Sequence, residues 1–330
     1  MSERFSRISI EALLGIILRS FSANKEILGI PESLFFHPRE KAMFACRRFG
    51  QDLATPLGVA AGPHSQMAQN IIAAWLCGAR YFELKTIQTL DELEISKPCI
   101  DMQDEGYNCE WSQELKIHEA ADEYINAWVL IHVLHKHLGF SGPVGCIFNM
   151  SAGYNMEGIL KENVQAFFSV MDDAGSMISQ KKSALKNLIP GIDHILIPSR
   201  ISDNITLSTM HGCPPGEIEK IGLYLIREKK LHTIIKLNPT LLGAAALRSL
   251  LNDVMGYRTI VPDEAFDHDL KYPDAMAIIR SLDHAARETG VHFGLKLTNT
   301  LESINNRPVF PEKEKMMYMS GRALHPISVH

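Results

Sequence analysis

Short apolar runs of strand length alternate with longer segments of helical periodicity along most of the chain. The apolar runs are PLGVAA (56–61), ARYFELK (79–85), VGCIFN (144–149), ITLS (205–208), HTIIKLN (232–238) and HFGLKLTN (292–299), with RTIV (258–261) as a weaker candidate. The helical segments are 66–77, 117–138, 157–172, 215–229, 241–253 and 273–288. Strands that alternate with helices at this spacing favour a parallel sheet, either a barrel or an open doubly wound sheet.

Two segments stand apart from this alternation. The stretch from Ile8 to Phe21 has the pattern of an amphipathic helix that docks on the body. Its run LLGIIL is far shorter than the roughly 20 apolar residues that span a bilayer. Residues 174–203 form a long, weakly patterned insertion, and such segments are often functional or mobile. We therefore expect a helical lead over residues 1–50 and one barrel over residues 51–330 that carries this insertion.

Most of the predicted strands end in polar residues or a glycine turn. These residues are Gly62 and His64, Lys85 and Thr86, Asn149 and Ser151, Ser208 and Thr209, Lys236 and Asn238, and Thr298 and Asn299. In a parallel barrel all of these ends lie on one face, where active sites are built. Asparagine amides suit the edge of an amide, imide or heterocycle, and a lysine stabilises an anion such as a reduced flavin or an enolate. The alternative is that these residues only cap strands and bond loop backbone.

Composition narrows the class of partner. The net charge of −5 and the lack of a basic run argue weakly against nucleic acid, and the lysines and asparagines at the strand ends indicate a small-molecule substrate. The six cysteines form no CxxC pair and no zinc-like spacing, and the sequence shows no signal peptide. These features predict a reduced, cytoplasmic protein with no membrane partner.

Common nucleotide and metal motifs are absent. The sequence has no GxGxxG after a strand, no GxxxxGK[ST] and no HExxH. HVLHKH (132–137) could suggest a metal, and FDHDL (266–270) could orient a catalytic imidazole. A solvated helix end explains the first and loop hydrogen bonding explains the second, so we predict no metal site.

The motifs at the strand ends, taken in order, resemble the flavin-binding barrel shared by dihydroorotate and dihydropyrimidine dehydrogenases. They are similar above all to the amino-terminal barrel of the selenate reductase subunit family, whose name does not establish a substrate. The motifs are TPLGVAAGPHSQMAQNI, ELKTIQTLDELEISKPCID, FNMSAGYNMEG, IKLNPT, LKLTNT and SGRAL with Pro326, and together they span roughly residues 30–328. The resemblance implies a (β/α)8 TIM barrel of the dihydroorotate dehydrogenase type that binds FMN.

The resemblance also implies a set of site residues. The FMN-binding residues would be Ala60, Ala61, Gly62, Lys85, Thr86, Asn149, Lys236, Thr298, Ser320 and Gly321. The substrate-binding residues would be Asn155, Asn238, Asn299 and Thr300. Small residues at positions 60–62 would let the backbone approach the flavin closely.

The sequence departs from the resembled barrel in two places. Where those enzymes have Asn-Leu-Ser-Cys-Pro followed by Asn or His, this chain has Thr206-Leu207-Ser208-Thr209 and then Cys213 after three further residues. This difference weakens a pyrimidine assignment. The barrel family also continues with two more βα units that grip the FMN phosphate, and we expect this chain to lack them after Arg322. Iron–sulfur clusters, FAD or NAD(P)H, and electron-transfer domains or subunits would lie in regions absent from this chain.

The expected function is FMN-dependent hydride transfer to or from an unsaturated, pyrimidine- or purine-derived substrate. Cys213 is the leading candidate for exchanging the proton, with His211 and Thr209 as further catalytic candidates. Loop packing explains Cys213 equally well, and metal ligation is a weaker reading. One alternative is a non-catalytic scaffold of an electron-transfer assembly that binds no flavin alone. Another is a lyase or isomerase that uses Lys85 or Lys236 as a Schiff-base or acid–base group.

Overall fold

The computed structural model describes residues 5–38, 43–91, 100–102, 105–109, 114–208, 213–307 and 309–330. Within these ranges the strands are β1 Glu26–Ile27, β2 Ile30–Pro31, β3 Cys46–Arg48, β4 Gln51–Leu53, β5 Gly58–Val59, β6 Tyr81–Glu83, β7 Ile100–Met102, β8 Gly106–Asn108, β9 Ile147–Ala152, β10 Asn204–Leu207, β11 His232–Leu237, β12 Phe293–Leu297, β13 Leu301–Ile304 and β14 Met316–Ser320. The helices are α1 Ile10–Asn24, α2 Ala68–Leu76, α3 Ile117–His137, α4 Met156–Ile159, α5 Glu162–Asp172, α6 Gly175–Leu185, α7 Pro215–Arg227, α8 Ala244–Arg248, α9 Asp263–His268, α10 Tyr272–Thr289 and α11 Leu324–Val329.

Six strands form a parallel sheet in the order β12-β11-β10-β9-β6-β5. They coincide with the six apolar runs read from the sequence, and the predicted helices lie between them. Side chains on one face, such as Phe82, Phe148 and Ile235, pack into the main core with the helices. Those on the other face line the interior of the barrel, because successive side chains of a strand point to opposite faces.

Contacts across the interior show that the sheet is curved. Lys296 on β12 forms an ion pair with Glu83 on β6, although three other strands lie between these two in the sheet. A flat sheet would hold these strands far apart, since neighbouring strands lie about 4.8 Å from each other. The sheet is therefore a six-stranded barrel wall.

Helix α1 is amphipathic, as predicted. The hydroxyl of Ser9 accepts a hydrogen bond from the backbone of Ala12 at 3.2 Å and caps the helix. Ile10, Leu13 and Ile17 are buried against the body, where α1 contacts α3 and α6. Within the described residues, no helix is long and apolar enough to cross a membrane.

The segment 174–203 has more regular structure than its sequence pattern indicates. It contains α6, whose Ile178 and Leu185 are buried and which packs on α3. The boundary between residues 50 and 51 lies in the turn of the hairpin formed by β3 and β4. One strand of this hairpin thus belongs to the predicted helical lead (residues 1–50), and the other belongs to the predicted barrel (residues 51–330).

A second, antiparallel sheet has the order β13-β14-β8-β7. It has its own apolar core, which includes Tyr107, Leu251, Leu301 and Met317. The prediction of a strand at 258–261 was wrong, because this segment contains no strand. The carbonyl of Ile260 accepts one bond from the backbone of Ile304, and this β-branched run borders the sheet without joining it.

The hairpin of β3 and β4 closes the barrel at the amino ends of its strands. Phe49 and Leu53 pack inside the barrel against Ile147 and Ile234. The ring of Phe49 also stacks on His232, with 5.0 Å between centroids and 7° between planes. In the described part of the chain, no comparable apolar plug fills the barrel at the carboxyl ends of the strands, and this end is called the open end below.

Candidate functional site

Three lysines meet at the carboxyl ends of the barrel strands. Lys236 on β11 and Lys296 on β12 are partners in the register of the two parallel strands, and both point into the interior. Lys85 follows β6 and is buried, with 7% of its surface exposed. The charge of Lys85 acts on Lys236, and so does that of Lys296. Two of these lysines were predicted as site residues, whereas Lys296 was not.

Glu83 is the carboxylate of this cluster. It is 4% exposed, and its Oε2 accepts a hydrogen bond from the backbone of Ala61 at 3.0 Å while pairing with the Lys296 ammonium. Burial acts to raise the pKa of Glu83, but Lys296 and then Lys236 outweigh it and lower the pKa below its usual value. Glu83 is therefore ionised at neutral pH.

Lys236 differs from its neighbour on β12. Within the described part of the chain, its ammonium has no hydrogen-bond or ion-pair partner. Burial and the adjacent charge of Lys296 lower the pKa of Lys236 to about 7, although Glu83 opposes this shift. At neutral pH this amine therefore changes its charge readily.

The loop at residues 60–62 is held from two sides. Ala61 donates to Glu83, and Gly62 exchanges hydrogen bonds with the hydroxyl of Ser65. A Cβ atom at position 62 would lie 2.6 Å from the ring of His64, so any larger residue there would require the His64 side chain to move. Burial, with a smaller contribution from Lys85, lowers the pKa of His64 and favours the neutral imidazole.

Two predicted substrate residues contact each other directly. Asn299 donates from Nδ2 to Oδ1 of Asn238 at 3.0 Å, and its own Oδ1 accepts from the backbone of Thr300 at 2.9 Å. The hydroxyl of Thr298 donates to the carbonyl of Asn299 at 2.7 Å. An amide nitrogen has two N–H groups, so Asn299 keeps a second donor beyond its bond to Asn238.

Asn149, predicted to bind the cofactor, lies in the polar interior below these strand ends. It donates to Asn204 at 2.7 Å, and its oxygen accepts from the hydroxyl of Thr206 at 2.6 Å. The hydroxyls of Thr86 and Ser151 are bonded to each other at 2.8 Å. These contacts give Asn149 a packing role, and its cofactor role stays a prediction.

The remaining predicted binding residues lie on two different segments. Asn155 caps α4, with its Oδ1 accepting from the backbone of Gly158 at 2.8 Å. Met319 pairs with Leu301, so the chain reaches Ser320 and Gly321 beside the end of β12. The antiparallel sheet thereby borders the open end of the barrel.

Cys213 lies just before α7 and is partly buried. Burial, with a contribution from the carboxylate of Glu217, raises the pKa of Cys213 to about 11. The thiol is therefore protonated at neutral pH. The other two catalytic candidates, Thr209 and His211, lie outside the described residues.

Glu83 and Lys296 are the residues that sequence reasoning missed, although the sequence contains a signal for each. Glu83 is a charged residue inside the apolar run YFEL, and Lys296 repeats the lysine-leucine-polar pattern of Lys236. A charge inside a buried strand requires a partner. The partners are far apart in sequence, so the pattern could not indicate which charges pair.

The two motifs predicted to be structural have structural contacts. The Nδ1 atom of His132 lies 2.8 Å from the carbonyl of Trp128 on the same helix, and the ring is buried rather than solvated. His268 lies 3.3 Å from the carboxylate of Glu302. In the described ranges, no group of three or more His, Cys, Asp or Glu side chains could hold a metal.

Comparison with known proteins places these features in a family. Residues 28–330 match the model of the family described as oxidoreductase YgfK, N-terminal TIM-barrel domain. This match confirms the predicted TIM-barrel fold class. Two proteins named "Putative oxidoreductase YgfK", from Escherichia coli strain K12 and strain O157:H7, are each 43% identical over 351 aligned residues. The alignment covers 100% of this chain and 34% of each relative, so the chain spans about a third of their length.

Two solved structures are more distantly similar. Ligand-free DHODH from Eimeria tenella has a TM-score of 0.46 and 14% identity, covering 97% of this chain and 77% of the other. The complex of Eimeria tenella DHODH with ferulenol has a TM-score of 0.45 and 14% identity, covering 99% of this chain and 78% of the other. The fold assignment rests on the family match and the parallel sheet.

Proposed function

The chain belongs to the family of the N-terminal TIM-barrel domain of oxidoreductase YgfK, and from this premise we propose that it binds FMN and supports hydride transfer to or from an unsaturated heterocycle. The observation that carries the proposal is the cluster of three lysines at the open end of the barrel. Among the described residues, Lys236 and Lys296 lie beside the carboxylate of Glu83, and the charge of Lys85 acts on Lys236. Such a cluster stabilises an anion, and a reduced flavin is one.

The residues present fit an FMN group. Lys236 offers an amine that has no partner among the described residues, and the small residues of the loop at 60–62 leave room for close approach to the backbone. The set of FMN-binding residues would be completed by Lys85, Thr86, Thr298, Ser320 and Gly321. When bound, FMN would supply the hydride chemistry, and the protein would supply geometry and charge.

The proposed substrate site is the asparagine pair beside the lysines. The bond between Asn238 and Asn299 fixes the orientation of both amides, and Asn299 keeps a donor for a ligand. Asn155 and Thr300 would complete the contacts. Oriented amides suit the amide or imide edge of a pyrimidine- or purine-derived ring better than they suit an oxyanion such as selenate.

Cys213 is the proposed source of the proton. Its raised pKa keeps hydrogen on Sγ at neutral pH, which suits donation to a substrate carbon or nitrogen. We further propose that the longer proteins of the family supply electron-transfer domains or subunits, with iron–sulfur clusters and FAD or NAD(P)H, to this barrel.

A specific observation favours the scaffold as a second candidate function. In the described residues, β5 and β12 each have only one neighbour in the parallel sheet, which has six strands rather than eight. Open edges of this kind are usually paired or covered. A barrel that is completed only within a larger assembly would bind no flavin alone.

Titration of the purified 330-residue chain with FMN, followed by visible absorption and by quenching of flavin fluorescence, tests the two candidates. We expect saturable binding that Lys236→Met weakens about tenfold or more, since a hydrogen bond from a charged amine to the flavin contributes about 1.4 kcal/mol or more. Lys161→Met is the matched control, because Lys161 pairs with Glu157 on the surface at 3.3 Å. A chain that leaves FMN unbound, while the Escherichia coli relative binds it, would favour the scaffold.

A further inference from the structure

Glu83 and Lys296 lie beside Lys236, and none of the expected roles explains why two lysines and one glutamate share the interior. We propose that Glu83 and Lys296 are positioning residues for Lys236: their ion pair holds the carboxylate away from Lys236, which stays unpaired and takes up a proton when negative charge arrives beside it. This inference rests on the proposed function, because the arriving charge is that of the bound, reduced flavin.

The backbone fixes which lysine the carboxylate can reach. Oε2 of Glu83 accepts from Ala61 at 3.0 Å and also contacts the ammonium of Lys296. The bond to Ala61 anchors the carboxylate to the loop at 60–62. Oε1 is buried and receives no hydrogen bond in the described part of the chain, so the carboxylate does not bridge to Lys236.

Register places the two amines next to each other. Lys236 and Lys296 are paired residues on neighbouring parallel strands, whose backbones lie about 4.8 Å apart. Two ammonium groups at this separation repel each other, and the one with the carboxylate keeps its charge more easily. Lys296 has that carboxylate, and Lys236 does not.

The charged groups that act on Lys236 from the surrounding elements are few. Among the described residues, Lys296 comes from β12, Glu83 from β6 and Lys85 from the segment after β6. His64, after β5, is itself influenced by Lys85 and favours the neutral form. Negative charge beside Lys236 would therefore meet an amine able to accept a proton, and the proton would move from solvent to Nζ.

Competitive acetylation of the chain without FMN tests the inference directly. Trace acetic anhydride is applied between pH 6 and 10, and peptide mass spectrometry reads the labelling of each lysine. Only a neutral amine reacts, so we expect Lys236 to label with a midpoint near neutral pH. Its reactivity at pH 7 should exceed that of exposed lysines roughly a hundredfold, because an ordinary lysine is almost fully protonated there.

Variants of the pair should move the midpoint of Lys236 in opposite directions. Lys296→Met removes the repelling charge and releases Glu83, so the midpoint should rise by about one pH unit or more. Glu83→Gln removes the favourable charge that acts on Lys236 among the described residues, so the midpoint should fall. The surface variant Lys161→Met should leave it unchanged. A merely structural role of the pair would not produce shifts of opposite sign, and far-UV circular dichroism checks that each variant is folded.

Two results would overturn the inference. One is a midpoint of Lys236 acetylation at about pH 10.4, as for an ordinary lysine, or no acetylation of Lys236 at any pH. The other is a shift of the same sign in both variants. FMN titration is separate: labelling as expected without FMN binding would contradict the proposed ligand alone, whereas FMN binding with an ordinary Lys236 would contradict only the role of the pair.

The loaded protein offers a second readout that does not depend on turnover. Anaerobic calorimetric titration with reduced FMN in two buffers of different ionisation enthalpy measures the protons taken up on binding. We expect uptake at pH 8, where Lys236 is largely neutral, and much less at pH 6, where it is already charged. In the Lys296→Met variant the uptake at pH 8 should fall.

Discussion

The two ends of the barrel interior differ sharply, although the same strands form both. On β11, His232 and Ile234 face inward at the amino end, and Lys236 faces inward at the carboxyl end. On β9, Ile147 contacts the apolar plug, whereas Asn149 lies in a polar network. Along both strands, the interior therefore changes from apolar packing to a polar or charged side chain within two residues.

The amino end of the barrel interior therefore contributes to folding stability, and the carboxyl end provides the groups for chemistry. The amino end is filled by Phe49 and Leu53, and removal of apolar contacts there should cost folding free energy. The carboxyl end contains unpaired or shared charges, which destabilise a folded protein unless a ligand uses them. Substitutions at the two ends should consequently affect different measurements.

The largest effect is expected from Phe49→Ala at the apolar end. Truncation of this buried ring removes its stacking on His232 and should lower the free energy of unfolding by about 3–5 kcal/mol. Urea denaturation measures the loss, and Phe49→Leu, which keeps most of the volume, should cost far less. The affinity of the folded protein for FMN should not change. A parallel loss of FMN affinity would mean that the two ends are coupled.

The next effect is expected from Cys213→Ala at the polar end. Loss of the proton on Sγ should slow the oxidation or reduction of bound flavin by substrate about a hundredfold, or about 2.7 kcal/mol in the barrier. Stopped-flow absorption measures this half-reaction. Cys77→Ala, at an exposed cysteine, is the control. An unchanged rate would leave loop packing as the role of Cys213.

An effect that is smaller for each pH unit should appear in the dependence of stability on pH. The pKa of Lys236 is lowered to about 7 in the folded chain, and an unfolded lysine keeps its proton until about pH 10.4. The unfolded state thus binds more protons between these values, and the contribution of Lys236 to stability rises with pH, by at most about 1.4 kcal/mol per pH unit.

Urea denaturation of the chain and of Lys236→Met from pH 6 to pH 10 checks this sign. The stability of the unmodified chain relative to the variant should increase above pH 7. If the difference stays flat, Lys236 titrates alike in the folded and unfolded states.

The smallest effect is expected from Lys161→Met. Its pairing with Glu157 is exposed to solvent, so unfolding free energy should change by less than about 0.5 kcal/mol. Thermal denaturation at low and high salt measures it. A larger change would show that charge removal alone perturbs this protein, and it would weaken the interpretation of every lysine variant above.

The fold was largely predictable because its elements depend on local patterns. Apolar runs such as HTIIKLN became strands, and amphipathic segments became helices with their apolar faces inward. The antiparallel sheet was not predicted, because β7 and β8 have three residues each and β14 pairs with β8 across about two hundred residues. Helix α6 was missed because few of its positions are buried.

The candidate site was predictable to a lesser extent. Lys85, Lys236 and Asn299 were identified from their positions at strand ends, and the structure brings them to one end of the barrel. Asn149 was also identified, but its amide is bonded to two interior side chains. The position of a residue in the sequence indicates at which end of the barrel it lies. How deep its side chain lies inside the barrel depends on the stagger of the neighbouring strands.

By itself, the sequence determined the order of strands and helices and the collection of polar residues at the strand ends, because both follow from periodicity over a few residues. Only the tertiary structure decided which charges pair. Lys236 and Lys296 are neighbours through strand register although 60 residues separate them, and Glu83 pairs with Lys296 across 213 residues. The curvature of the sheet sets that contact, and with it the difference between a paired lysine and an unpaired one.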